Sequence, residues 1–134
     1  MKYLLDTNIC SFVIRGKRQR VVERFGQHSV GDLGISVVTL AELRFGADKS
    51  SDPAKNHTAL DNFLLPLEIV PFDQRAAEQY GKVRTDLESR GLPIGPLDTL
   101  IAAHALSLGV PLVTNNTAQF ARVEGLAVED WTVP

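Results

Sequence analysis

The apolar positions of this chain fall into short unbroken runs separated by longer stretches of helical spacing. "KYLLD" (2–6), "LGISVV" (33–38), "EIVPF" (68–72) and "VPLVT" (110–114) leave no room for polar alternation, as expected of strands covered on both faces. "LAVEDW" (126–131) reads as a last edge strand. Between them "TNICSFVIRG" (7–16) predicts a short helix stopped by Gly16, and a second helix covers 17–26. "TLAELRFGADKS" (39–50) predicts a helix with Thr39 as N-cap and Glu42 three residues on, the capping-box spacing. "DPAKNHTALDNFLLPL" (52–67) has Pro53 placed for a first turn and Ala59, Leu60, Phe63, Leu64 and Leu67 at helical spacing. A long helix capped by Asp73 and closed by Gly91 follows, then one with Pro96 near its start and Gly109 at its end, and a short one over 117–123.

Strands alternating with helices specify a three-layer α/β/α domain around a central, mainly parallel sheet, with all of 1–134 in one domain. In such folds ligands bind outside the carboxyl ends of the strands, where Asp6 and the run Thr114–Asn116 fall. The single cysteine, Cys10, excludes an intrachain disulfide, and no Cys/His cluster has zinc spacing, so a reducing cytoplasm is the expected compartment. No apolar run approaches the length of about 20 residues that spans a bilayer, and no leader pattern is present, so no membrane association is expected.

A net charge of −2, from 14 basic and 16 acidic residues, argues against coating nucleic acid by bulk electrostatics. It leaves room for a nuclease, because acids that hold a metal subtract from the total while a local basic patch still meets phosphates. "IRGKRQRVVERF" concentrates Arg15, Lys17, Arg18, Arg20 and Arg24, either a solvated helix face or a phosphate-contacting edge.

Most of the acids lie among polar neighbours and call for no explanation. Three do not: Asp6 ends an apolar strand, Glu42 sits among Leu40, Ala41, Leu43 and Phe45, and Asp98 is followed by "TLIAAHAL". Singly, each has an ordinary reading: Asp6 as an N-cap, Glu42 as capping-box partner of Thr39, Asp98 as a first-turn acid favoured by the helix dipole. Together at one sheet edge they would repel strongly unless a divalent cation neutralised them. Oxygen ligands with open positions suit Mg²⁺ or Mn²⁺, and the chemistry supported is metal-assisted hydrolysis of a phosphodiester.

"LLDTNI", "TLAELRFGA", "PIGPLDTLIAAHA" and "LVTNN", in this order over nearly the whole chain, resemble the PIN-domain ribonucleases, and among them the VapC toxins of bacterial toxin–antitoxin pairs. The resemblance implies a Mg²⁺-dependent endoribonuclease with Asp6, Glu42 and Asp98 as the acids around the metal, Asp6 and Asp98 as its ligands, and Thr114 in support. Asn116 occupies the place where many relatives carry a fourth acid; an amide contributes an oxygen and no charge, so one well-held metal is expected. The "TNN" form and the ending "VEDW" resemble the subgroup directed at initiator tRNA, which implies an anticodon stem-loop as substrate. The implied partners are a VapB-like antitoxin, a second copy of the chain within a toxin–antitoxin hetero-oligomer, and DNA only through the antitoxin.

Asn8 is either a polar helix-start residue or one that orients Asp6 or a metal-bound water. Arg44, beside Glu42, and Arg84, with Lys82 on the long helix, join Arg15, Lys17 and Arg18 as phosphate-contact candidates. His104 lies six residues beyond Asp98, away from its face, and reads as structural; Cys10 reads as a packed thiol, and Trp131 as an anchor for the C-terminal strand. Apolar residues of "LDNFLLPLEIVPF" and "SFVIRG" exceed what a small domain must bury and suit an interface. A haloacid-dehalogenase-type phosphatase would need a second aspartate where this chain has Asn8, and a receiver-like domain needs a lysine after a late strand; neither is present. A PIN-like domain that binds RNA or a partner without cutting is the remaining alternative.

Overall fold

The computed structural model describes residues 1–134. Five strands form one sheet in the order β3-β2-β1-β4-β5, with β1 Tyr3–Leu5, β2 Leu33–Ser36, β3 Glu68–Val70, β4 Leu112–Val113 and β5 Val128–Glu129. Every pairing is parallel, so the sheet is wholly and not merely mainly so. The register sets Leu4 opposite Gly34 on one side and Leu112 on the other. Gly34 is tightly placed: a Cβ would meet the Met1 sulfur, the movable end of a flexible side chain, and stand 3.0 Å from the Glu68 carbonyl oxygen, so a side chain there requires a small shift.

Alternation of side chains across the pleat divides the core in two. Leu5, Leu33, Ile35 and Val113 face α1 (Thr7–Arg15), α2 (Gln19–Gly26) and α4 (Pro53–Leu64); Leu4 and Leu112 face α5 (Gln74–Ser89), α6 (Pro96–Leu108) and α7 (Thr117–Phe120). α3 (Val37–Asp48) serves both, Val38 packing on the second cluster and Leu43 in the first. It therefore lies across the carboxyl end of the sheet and fixes what stands there. Trp131 is fully buried, its indole stacked on His28 at 5.3 Å and its Nε1 donating to Glu129 Oε1 at 3.0 Å, the anchoring role expected of it.

Several boundaries differ from the sequence expectation, and one difference bears on the site. α3 starts at Val37, and its N-cap is Ser36, whose hydroxyl accepts from Val38 N at 3.0 Å. Thr39 is a buried residue inside the helix, so the capping-box reading of Thr39 and Glu42 is overturned. A serine in extended conformation satisfies an orphan amide of the first turn, and that outweighs the β-propensity of the two valines after it. α2 begins only at Gln19, after Arg18 in a left-handed conformation at φ 59. α7 stops at Phe120, and β5 keeps two residues of the predicted edge strand. α5 and α6 follow expectation, with Asp73 accepting from Ala76 N at 3.0 Å and Gly109 closing α6 at φ 67. Of the apolar surplus, Leu65 and Ile69 are exposed at the β3 edge, whereas Phe12, Val13 and Ile14 of α1 are half-buried against the core; Phe45 on α3 is exposed without having been expected to be. No helix is long and apolar enough to cross a membrane.

Candidate active site

The strand order reverses between β1 and β4, since the chain winds outward from β1 to β2 and β3 and then returns to build β4 and β5 on the other side. A crevice at the carboxyl end of such a switch point is where doubly wound sheets hold ligands. Asp6 stands at the end of β1, its amide donating to Val113 O at 3.0 Å, so it is held against the end of β4. Its carboxylate caps α1 by accepting from Ile9 N at 2.9 Å.

The residue is 5 % exposed, and burial raises its pKa from 3.8 to about 6, with the charges of Asp98 and Glu42 adding to the rise. Thr114, fully buried at the end of β4, and the Ile9 amide oppose that rise by favouring the ionised form. Asp98, half-buried in the first turn of α6, is also pushed up, first by burial and then by the charge of Glu42. Three carboxylates from a strand end and two helices thus feel one another in a partly dehydrated crevice.

Glu42 is one and a half turns into α3, beyond the reach of any capping role, and its Oε1 accepts from the Thr7 hydroxyl at 2.8 Å. Thr7, which the sequence pattern does not single out, is the first residue of α1 and follows Asp6 directly. The β1–α1 junction therefore supplies one acid and orients a second. The only advance signal was a hydroxyl next to the strand-end aspartate.

Asn116 precedes α7, with its amide group donating to Gln119 Oε1 at 3.0 Å and its backbone N–H to Thr114 Oγ1 at 3.0 Å. That leaves its side-chain oxygen as an acceptor, and Asn115 Oδ1 beside it is buried without a hydrogen-bond partner. Asn8 is exposed on the first turn of α1. No three Asp, Glu, His or Cys side chains close tightly enough to grip an ion alone. The donor set is nevertheless all oxygen, and Mg²⁺ commonly takes only one or two carboxylates and keeps its remaining waters, so these residues fit such an ion.

The cations divide sharply. Arg44 turns to α4, bonding Asp61 at 2.7 Å and His57 Nδ1 at 3.0 Å; Arg84 bonds Glu88 and Tyr80 along α5. Arg15, Lys17 and Arg18 are exposed and carry no ion pair, Arg18 lying over the Phe12 ring at 5.3 Å. His104 is buried, joined to Ser36 Oγ at 2.8 Å, and burial lowers its pKa, so it is a neutral structural histidine. Cys10 is fully buried and its thiol is pushed up by burial and by the Asp6 charge, which makes it inert.

A doubly wound parallel domain that gathers three mutually repelling carboxylates at its switch point belongs to the class of α/β folds with an acidic crevice at the carboxyl end of the sheet. Within that class the PIN domain model matches residues 3–126, and the chain belongs to the PIN-domain family. It is 45 % identical over 132 residues to the tRNA(fMet)-specific endonuclease VapC of Shigella flexneri, covering 98 % of this chain and 99 % of that one. Its structure is similar to that of DNA-bound VapBC from Salmonella typhimurium, at TM-score 0.92, 41 % identity and 98 % coverage of both chains. It is also similar to VapBC2 from Rickettsia felis bound to a promoter DNA fragment, at TM-score 0.89, 39 % identity and coverage of 98 % and 99 %.

Proposed function

We propose that the chain is the toxin of a type II toxin–antitoxin pair, a Mg²⁺-dependent endoribonuclease of the cytoplasm that cuts initiator tRNA in its anticodon stem-loop. The observation that carries this is the convergence of Asp6, Glu42 and Asp98 on a crevice that raises the Asp6 pKa to about 6. Holding three ionised acids there at neutral pH is unfavourable without a cation, and a site that asks for one is suited to phosphate chemistry. Asp6 and Asp98 are the direct ligands in this reading, with Glu42, Thr114, Asn8 and the Asn116 oxygen around them. Such an ion supplies an activated water and offsets charge on the scissile phosphate. Thr7 keeps Glu42 turned inward, and the Ile9 amide keeps Asp6 in place before any ligand arrives.

The tRNA assignment and the partners rest on likeness to VapC of Shigella flexneri and to the VapBC complexes. The partner is a VapB-like antitoxin, which also provides the link to DNA, and exposed Leu65 and Ile69 suit the interface of a homodimer within the larger complex. The test is to incubate the purified chain with total RNA and with initiator tRNA, with Mg²⁺ or EDTA, and to map the new 5′ ends. Cleavage in the anticodon loop that disappears in EDTA and in Asp6→Asn and Asp98→Asn is the expected result. Equal cutting in EDTA refutes the metal, full activity in both variants refutes the acidic site, and intact initiator tRNA beside cut messenger RNA refutes the substrate.

A further inference from the structure

Beside the acids a groove of about 210 Å³ opens between α1, α3 and α4. One wall carries Thr7, Ser11 and Arg15, which recur every fourth residue and so share a face of α1. The other carries Glu42, Lys49 and Asn56. The groove thus has Glu42 at one end and two cations at the other, about 12 Å along the helix from Thr7 to Arg15. Neither Arg15 nor Lys49 is neutralised by an acid, whereas Lys2, Arg24, Arg44, Arg84 and Arg90 all are.

Between these ends the floor is apolar, from Leu43 and Leu60, and open at Gly46, where a Cβ would meet nothing within 4 Å. Phe45, three residues after Glu42 and outside the groove's own lining, is 64 % exposed, with the Lys49 ammonium 5.0 Å from its ring centroid. Free cations, an apolar floor and an exposed ring next to a phosphodiester-cleaving site are what a single-stranded nucleic acid requires, namely charge for the backbone and a surface for bases. A peptide filling the same groove would have to bring a carboxylate to Arg15 and Lys49.

We propose that this groove holds the RNA strand next to the scissile bond, with Arg15 and Lys49 gripping a flanking phosphate and Phe45 stacking a base. The inference rests on the ribonuclease reading, and its test is separable from that reading because it measures binding alone. A fluorescein-labelled single-stranded RNA oligonucleotide is titrated with the Asp98→Asn chain in EDTA across a salt series, and anisotropy gives Kd. Adding Arg15→Ala or Lys49→Ala weakens binding roughly fivefold and lowers the slope of log Kd against log salt by about 0.7 for each phosphate no longer neutralised. Adding Phe45→Ala weakens binding about fivefold or more with the slope unchanged, since stacking releases no counterions.

Lys2→Ala, at the amino end of the central strand β1 and so at the far end of the sheet from the crevice, changes neither. Far-UV circular dichroism and melting curves confirm that each variant is folded. Kd and slope unchanged in the Arg15 and Lys49 variants overturn the groove assignment, and if the parent still cuts RNA the active-site reading stands without it. A parent that binds the oligonucleotide by this groove yet cuts no RNA with Mg²⁺ refutes the ribonuclease reading and leaves the groove. Arg15 and Lys49 variants that lose affinity for an acidic antitoxin peptide while binding RNA as before assign the groove to the protein partner and overturn the proposal.

Discussion

Replacing Asp6 by asparagine should make the metal-free protein more stable while destroying its proposed activity. The folded chain binds the Asp6 proton with a pKa of about 6 where the unfolded chain has 3.8. Between those values the folded state holds the extra proton, so stability falls as pH rises through the window; below 3.8 the penalty is absent, and above 6 it is complete. At about 1.4 kcal/mol per pH unit the gap corresponds to about 3 kcal/mol. Asparagine carries no charge to desolvate and keeps an oxygen for the Ile9 amide, so the N-cap survives. The hydrogen bond from Thr114, which favours the ionised acid, weakens or reverses in sign, and this trims the gain to about 1–3 kcal/mol.

For a domain of 134 residues that is a rise in melting temperature of about 3–10 °C at pH 7.5 in EDTA. The assay is urea unfolding followed by the fluorescence of the single tryptophan, Trp131, for parent and Asp6→Asn at pH 4 and pH 7.5. The difference between the two proteins should be large at pH 7.5 and shrink at pH 4. Added Mg²⁺ should then raise the parent and leave the variant where it was. A variant less stable than the parent at pH 7.5, or a difference that ignores pH, would refute the claim that the site holds a dehydrated, mutually repelling set of acids.

Thr7→Val removes the donor to Glu42 Oε1 at 2.8 Å; RNA cleavage should fall about tenfold, with Thr7→Ser retaining most of it, and equal rates for all three would show that Glu42 needs no orientation. Trp131→Ala deletes a fully buried ring stacked on His28 and should cost about 3–5 kcal/mol in chemical unfolding followed by circular dichroism. His104 has a lowered pKa from burial, so the stability it permits is complete above about 6.5 and is lost as pH falls through its lower folded value. His104→Gln should therefore flatten the acid limb of the stability profile, and a limb of unchanged steepness would place the proton elsewhere.

The parts of the fold legible in the sequence are those decided by neighbours along the chain. Pro53, Asp73, Pro96, Gly91 and Gly109 act within a turn of themselves, and the helices they delimit stand where the pattern puts them. The error at Ser36 is of a different kind. Thr39–Glu42 and Ser36–Val38 are competing local solutions for the same helix start, and the choice falls to Ser36 because extending β2 through Val38 would forfeit its capping bond. The bonds of Thr7 and Arg44 are tertiary, since one joins residues 35 positions apart and the other depends on how α4 packs beside α3; the sequence offers only a hydroxyl next to Asp6 and a cation next to Glu42. Burial, likewise, is a tertiary quantity; the sequence could offer Asp6 and Asp98 as acids in apolar company, but only packing shows one nearly enclosed and the other half so.

The ordinary and the chemical readings of Asp6 prove not to be rivals. It is an N-cap, bonded to Ile9 N, and the Thr114 hydroxyl first and that amide second lower the cost of holding a charged group nearly dry at the end of β1. An aspartate needed only for capping would sit as well in solvent, as Asp52 does at the start of α4. The difference between the two caps is that Asp6 faces two more acids across a switch point and Asp52 faces water. Asp98 follows the same logic at the start of α6, where Gly95 and Pro96 begin the helix without a side-chain cap and the first-turn acid lies instead in the crevice with Glu42. Helix starts deliver these carboxylates because the amides and dipole there lower the cost of an acid before a cation is present. The residual cost, about 3 kcal/mol at Asp6, is then available to favour whatever positive charge enters.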